Sequence, residues 1–250
     1  MPKQGEIEYL QKMGEEGVRH AMGKPFSDAH CPFYLMEMGA VMALLPAPPA
    51  RLLDVGCGTG WTSVFFARRG HEVVGVDIAG DMIYHANELR EREGLDNLSF
   101  QVSDYEEMGF DGEFDCAVFY DALHHAVDEV AALRGVYRAL RPGGVCITSE
   151  PGVGHARHPV SVEAMRKYNV TERDMPPRTI VAAGRQVGFR RFQVYPHAAE
   201  LGNSIYSYSG RLLRGLAAAS PRARQWCGLA YALRILFYRA RRSGIVVLVK

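Results

Sequence analysis

Five short apolar runs recur along the middle of the chain, at 51–55, 71–76, 98–102, 114–120 and 145–149. The stretches between them carry apolar residues at helical spacing, most clearly over 62–69, 81–93 and 127–140. Runs this short and this continuously apolar fit strands buried on both faces. Strands of that kind sit in parallel sheets joined by helical crossovers. The pattern predicts five rounds of strand and crossover, with Gly94 ending the second helix and a turn over 142–144 leading into the fifth strand. Two more strands are expected at 189–195 and 244–249, the first of them preceded by a helix near 179–187. Before the first strand, 6–45 is rich in Met and Glu, loosely helical, and closed by the breaker Pro46-Ala47-Pro48-Pro49. The fold class expected is α/β: a doubly wound, seven-stranded Rossmann-like sheet with helical lid elements.

One segment carries most of the chemistry. Leu52-Leu53-Asp54-Val55-Gly56-Cys57-Gly58-Thr59-Gly60 runs from an apolar strand through three alternate glycines into a helix. Such a turn lets backbone approach a ligand closely, and the helix N-terminus favours a carboxylate or phosphate. A dinucleotide site shares this layout, which would make the chain an oxidoreductase. Its G-x-G-x-x-G pattern fails here, because Trp61 stands where the third glycine belongs.

An acidic residue, an apolar residue and G-x-G-x-G at the end of the first strand resemble the first motif of the class I S-adenosylmethionine (SAM)-dependent methyltransferases. The resemblance covers roughly 46–150, including Leu140-Arg141-Pro142-Gly143-Gly144 before strand five. It implies SAM as methyl donor and S-adenosylhomocysteine (SAH) as product. It further implies a cofactor site made of Asp54, Gly56, Cys57, Gly58 and Gly60, with Asp77 on the ribose hydroxyls. Ile78 and Met82 would pack on the adenine, and Ser103, Asp104 and Tyr105 would border it, with Asp104 accepting from the exocyclic amine. Tyr120 would lie at the sulfonium side. An acceptor at the end of strand two is what the ligand requires, since one carboxylate can accept from two adjacent hydroxyls.

Ligands of open α/β sheets bind at the carboxyl ends of the strands, so the loop Tyr120-Asp121-Ala122-Leu123-His124-His125 should border the methyl group. His124, His125 and Asp121 are the catalytic candidates, the histidines as general base for a hydroxyl acceptor. His155 and His158 suggest a metal, but no Cys or carboxylate cluster accompanies them in the sequence, and no metal site is expected. The resemblance also makes the last strand antiparallel. The connection between strands six and seven then starts and ends at the cofactor side, so 151–177 and 197–243 are expected as lids, 1–46 as an N-terminal helical cap, and 47–250 as the methyltransferase domain.

Charge changes the picture at this point. Residues 1–156 hold 12 basic and 24 acidic side chains, and 157–250 hold 17 and 4, a net −12 followed by +13. The second lid contains Arg211, Arg214, Arg222, Arg224, Arg234, Arg239, Arg241 and Arg242. That excess suggests an anionic or lipid-linked small-molecule acceptor, or peripheral membrane contact by the amphiphilic stretch 226–242. Nucleic acid is disfavoured. Strand four ends in Phe119-Tyr120-Asp121-Ala122, without a Pro-Pro-aromatic motif for adenine, and no Pro-Cys offers a cytosine nucleophile. RNA methylation at other positions and a SAM-binding protein that transfers nothing remain the alternative readings. Five unpaired-looking cysteines and the lack of a run approaching the roughly 20 apolar residues of a membrane span suggest a soluble, cytoplasmic protein. The sequence does not speak to oligomeric state.

Overall fold

A computed structural model describes residues 2–203, 206, 221–238 and 242–250. Three helices precede the sheet: α1 (Pro2–Ile7), α2 (Tyr9–Met22) and α3 (Cys31–Leu44). Then come β1 (Arg51–Val55), α4 (Trp61–Arg68), β2 (Glu72–Asp77), α5 (Gly80–Glu93), β3 (Leu98–Val102), β4 (Phe114–Tyr120), α6 (Glu129–Ala139) and β5 (Leu140–Glu150). The chain continues through α7 (Pro159–Tyr168), α8 (Pro177–Val187), β6 (Arg191–Tyr195), α9 (Ala198–Gly202), α10 (Pro221–Tyr238) and β7 (Gly244–Val249).

The strands form one seven-stranded sheet in the order β3-β2-β1-β4-β5-β7-β6, with β7 antiparallel to both neighbours. The doubly wound architecture expected from the sequence is what the chain adopts. Alternation within each strand divides the core in two. From β1 and β4, Leu53, Val55, Phe114, Ala117 and Phe119 face a layer with Leu133, Val136 and Ile180 of α6 and α8. Leu52, Cys116 and Val118 face the other layer, with Met38, Val41, Phe66 and Leu89 of α3, α4 and α5. Burial on both faces explains why these strands read as unbroken apolar runs.

Local chemistry sets the helix ends that matter for the site. Asp128 caps α6, its carboxylate accepting from the amides of Val130 and Ala131 at 2.8 and 3.0 Å. Two expectations need correction. The Pro142-Gly143-Gly144 segment is not a turn before the strand. Pairing already starts at Leu140 opposite Phe114, and a register shift absorbs residues 141–144 as a bulge, where proline is tolerated and Gly143 takes φ +80°. The stretch after Pro151, for which the pattern predicts no element before the helix near 179, holds α7.

Phe119 sits at zero exposure in the centre of the first layer. Its replacement by Ala should destabilise the protein by about 3–5 kcal/mol, read as a shift in the urea midpoint at constant slope.

Candidate active site

The glycine loop leaves β1 in left-handed backbone, with φ +72° at Gly56, +53° at Gly58 and +84° at Gly60. Its conformation is held from within. Gly56 and Cys57 both donate to the carbonyl of Val76, at 2.8 and 3.0 Å, and Gly60 donates to Cys57. A Cβ on Gly56 would come within 2.6 Å of the Ala122 Cβ, whereas one on Gly58 would meet open space. The loop is thus pressed against the β4 loop at one glycine and open to a ligand at the other. Cys57 does not face that opening: its side chain is buried, its amide is spent on Val76, and its sulfur lies against the Gly58 carbonyl. The Cys57 side chain packs inward, so its backbone is the part of the residue that stands in the glycine loop.

Asp54 is 1% exposed and accepts from Thr62 and Ser63 Oγ, both at 2.6 Å, so it ties β1 to the first turn of α4. Burial pushes its carboxyl up to about 6, against the pull of those two hydroxyls. Asp77 ends β2 with Oδ2 accepting from Gly58 N and Oδ1 from Ala79 N, both at 2.9 Å. Burial raises its carboxyl and the two amides lower it. Each oxygen keeps a lone pair, which is what a vicinal diol needs. The fit of this cradle to SAM rests on Asp77 and the open face at Gly58. Ile78 and Met82 flank it, half-buried.

At the end of β3, Asp104 accepts from the Glu106 amide and pairs with Lys3 of α1 at 2.5 Å, and Lys3 also reaches Glu106 at 3.2 Å. The first helix therefore stands on the side where adenine is expected. Ser103 donates its amide to the Asp77 carbonyl, joining β3 to β2. Tyr105 has its ring on Phe119 and its hydroxyl 3.3 Å from the Ala122 carbonyl. Tyr120 packs edge-on against Trp61 and donates to the Tyr34 carbonyl at 3.2 Å.

The β4 loop is organised by a residue the sequence reading missed. Glu150, 1% exposed at the end of β5, accepts from the amides of Ala122, Leu123 and His124 at 3.1, 2.8 and 3.2 Å. Its Oε2 also lies 2.8 Å from His124 Nδ1. The rule that favours carboxyl ends of strands would have found it. Asp121, with φ +55°, continues the sheet by donating to the Ser149 carbonyl. Burial opposes ionisation of Asp121, and the nearby His124, His125, Lys24 and His155 outweigh it, holding the carboxyl low. His125 Nδ1 is 2.6 Å from the Thr171 carbonyl and 3.4 Å from Glu6.

Beyond this loop a cavity of about 560 Å³ opens at the carboxyl ends of β4 and β5. Phe33, Tyr34 and Tyr120 supply aromatic walls, and Asp121, Glu150, His155, His158 and Arg242 supply charge. His124 and His125 are not part of its lining. Both ends of the second lid are, through His197, Ala199, Glu200, Arg242 and Ser243. Across the cavity, Glu37 of α3 accepts from Ser149 Oγ and the Ala199 amide and lies 2.6 Å from His197 Nδ1. The other nitrogen of His197 reaches the Glu150 carbonyl at 3.1 Å. Two acceptors on one imidazole mean that both nitrogens carry protons. Of the lid arginines, Arg222 is exposed on α10 and Arg242 lines the cavity. Arg211, Arg214, Arg239 and Arg241, and the side chains of Arg224 and Arg234, lie outside the described residues. No helix among the described residues is long and apolar enough to cross a membrane.

Residues 52–144 match the family model described as a methyltransferase domain, and the sheet order, glycine loop and strand-end acid agree with that match. A ubiquinone biosynthesis O-methyltransferase of Xanthomonas campestris pv. campestris (strain B100) is 33% identical over 116 residues, 46% of this chain and 48% of that protein. The matched segment thus spans about half the length of this relative. In fold, the chain resembles the SAM complex of phosphoethanolamine N-methyltransferase 2 from Haemonchus contortus, with a TM-score of 0.67 and 18% identity over 98% of this chain and 59% of that one. It also resembles geranyl diphosphate C-methyltransferase of Streptomyces coelicolor A3(2), with a TM-score of 0.60 and 15% identity over 92% and 85% of the two chains.

Two outcomes follow from this geometry. Asp77→Ala should weaken SAM binding about 10²–10⁴-fold in calorimetric titration, since two hydrogen bonds to a carboxylate are worth about 1.5–3 kcal/mol each. The Glu37–His197 latch should make stability depend on pH. Burial works against both charges, and the partner overrules it, holding Glu37 below its ordinary 4.5 and His197 above its ordinary 6.5. The Glu37 contribution is present above 4.5 and lost as pH falls through its depressed value. That of His197 is full below 6.5 and lost as pH rises through its raised value. His197→Gln should therefore cost on the order of 3–5 kcal/mol near pH 6 in urea unfolding, and less near pH 9.

Proposed function

We propose that the chain transfers a methyl group from SAM to a hydroxyl of a small molecule bound in the cavity beside Tyr120 and Asp121. The observation that carries this reading is the cavity itself. It adjoins the glycine loop through the β4 loop, has aromatic walls, and presents carboxylate and imidazole groups where an acceptor hydroxyl must lose its proton. The partial relatives named as O-methyltransferases agree with oxygen as the acceptor atom.

SAM supplies an electrophilic methyl group, so the chain's own task is to position a nucleophile, exclude water and manage one proton. Asp121 faces the cavity as a carboxylate and can accept a hydrogen bond from the acceptor hydroxyl, orienting its oxygen. His124 is 3% exposed, with Nδ1 on Glu150 and 3.8 Å from Asp121. In this arrangement it is a positioning residue that acts through Asp121, and direct base duty passes to the groups lining the cavity. His125, held on Thr171 and Glu6, anchors the loop to the first lid.

The finer part of the proposal concerns the acceptor's charge. The described lining carries the carboxylates of Glu37, Asp121, Glu150 and Glu200 beside Arg242 and His158. Glu37 is neutralised by His197 and Glu150 is saturated by amide donors, and Arg242 and His158 are the basic side chains an anionic group on the acceptor would meet there. A lipid-linked acceptor or a membrane surface would also meet Trp226, Leu229 and Leu233, exposed at one helical spacing on α10.

A screen of hydroxylated aromatic and aliphatic acceptors, with and without a carboxylate or phosphate, against methyl-labelled SAM tests the reading. Labelled ether products are expected, with Asp121→Asn lowering kcat by about 10²-fold while SAM affinity stays within a few fold. Arg242→Ser should raise KM for the anionic acceptors alone. Product formed only on RNA, or on no acceptor, would overturn it.

A further inference from the structure

Two segments distant in sequence bring ligating groups together beside the cavity. One ligand atom each from His124, His125 and Glu172 lies within 4.8 Å of the others. The two imidazoles are fixed by acceptors on their far side. His124 Nδ1 faces the Glu150 carboxylate at 2.8 Å, and His125 Nδ1 faces the Thr171 carbonyl at 2.6 Å. A carboxylate and a carbonyl only accept, so each Nδ1 carries a proton and Nε2 is the nitrogen left to meet a ligand. That is how metal-binding histidines are generally held, with an outer acceptor fixing tautomer and ring orientation.

The inner side has the complementary problem. His124 Nε2 looks at Glu172 Oε2 across 3.7 Å. An imidazole nitrogen opposite a carboxylate oxygen can share with it a proton or, once the nitrogen is deprotonated, a metal cation. Two atoms each about 2.0–2.1 Å from a tetrahedral zinc ion stand roughly 3.4 Å apart, so the observed gap needs to close by only a few tenths of an ångström. His155 Nε2, at 2.5 Å from the same Glu172 oxygen, holds the carboxylate in place.

We propose that His124, His125 and Glu172 form a site for a divalent transition-metal cation of the zinc class. Two imidazoles and one carboxylate are borderline ligands that suit such a cation over calcium or magnesium. The ion would tie the β4 loop to the first lid, and through Glu6, which accepts from the Thr171 amide at 2.7 Å, to α1 as well. Its remaining coordination position would lie on the His155 side, towards the cavity. The inference does not depend on the acceptor chemistry proposed above, because occupancy is read without SAM or acceptor.

The test uses tag-free chain stripped with EDTA and titrated calorimetrically with ZnCl2, then with CoCl2 while visible ligand-field bands are followed. One ion per chain, with nitrogen- and oxygen-type rather than thiolate-type cobalt spectra and a raised Tm, is expected. His125→Gln and Glu172→Gln should each lose binding at least tenfold and show no metal-induced rise in Tm, while keeping the circular dichroism of the metal-free parent. His85→Ala, which removes a histidine paired with Glu88 far along α5, should bind as the parent does. No stoichiometric binding by the parent would overturn the proposal and leave a proton in the gap. So would binding retained in both ligand variants, or thiolate spectra pointing to the cysteines.

Discussion

The arrangement of the site depends on one buried carboxylate. Glu150 accepts four hydrogen bonds from the β4 loop, three from consecutive amides and one from His124 Nδ1, at 1% exposure. Burying a carboxylate without donors is prohibitive, and the loop can supply these donors only in one conformation, so the charge acts as a template for the turn. Asp121 adopts φ +55° within that turn and is thereby aimed at the cavity. Ala122 is pressed onto Gly56, which couples the template to the glycine loop. A side chain at the end of β5 thus sets geometry on both the acceptor side and the cofactor side.

Around this centre, polar contacts fasten the helical segments in addition to their buried apolar faces. Lys3 pairs with Asp104, Glu6 with the Thr171 amide and His125, and Glu37 with His197 and Ser149. Such contacts can be exchanged for a ligand's own hydrogen bonds at modest cost, whereas the core layers under them cannot shift without opening cavities. Lys3 is the clearest case, since it occupies the carboxylate expected to receive the adenine amine. Cofactor entry on that side would require Lys3 to release Asp104 or to share it.

What the sequence revealed is what is local. The strand-glycine-helix segment, the acid ending β2 and the alternation of strands and crossovers each depend on neighbours within a few residues, and all were legible. Pairings across the chain were not. His155 had no visible carboxylate, because Glu172 reaches it only when the loop after α7 folds back. Glu37 stood as a lone acid in the apolar run Cys31–Leu44, a signal that it must be paired, but nothing nearby named His197. The inward direction of the Cys57 side chain was not legible either: it lies inside the diagnostic motif, between left-handed glycines, and is buried.

The charge asymmetry between the two halves finds part of its explanation inside the molecule. Arg173 of the basic half bridges to Glu129 of the acidic half and caps the carbonyls of Ala126 and Val127, and His197 neutralises Glu37. The first of these is partly exposed and contributes little stability by itself, but it fixes where the first lid crosses the end of α6. The second is buried and carries more. Charge of opposite sign in the two halves therefore acts here first as a docking code between lids and sheet. From the basic half, Arg242 and His158 stand in the cavity lining beside the carboxylates of the acidic half.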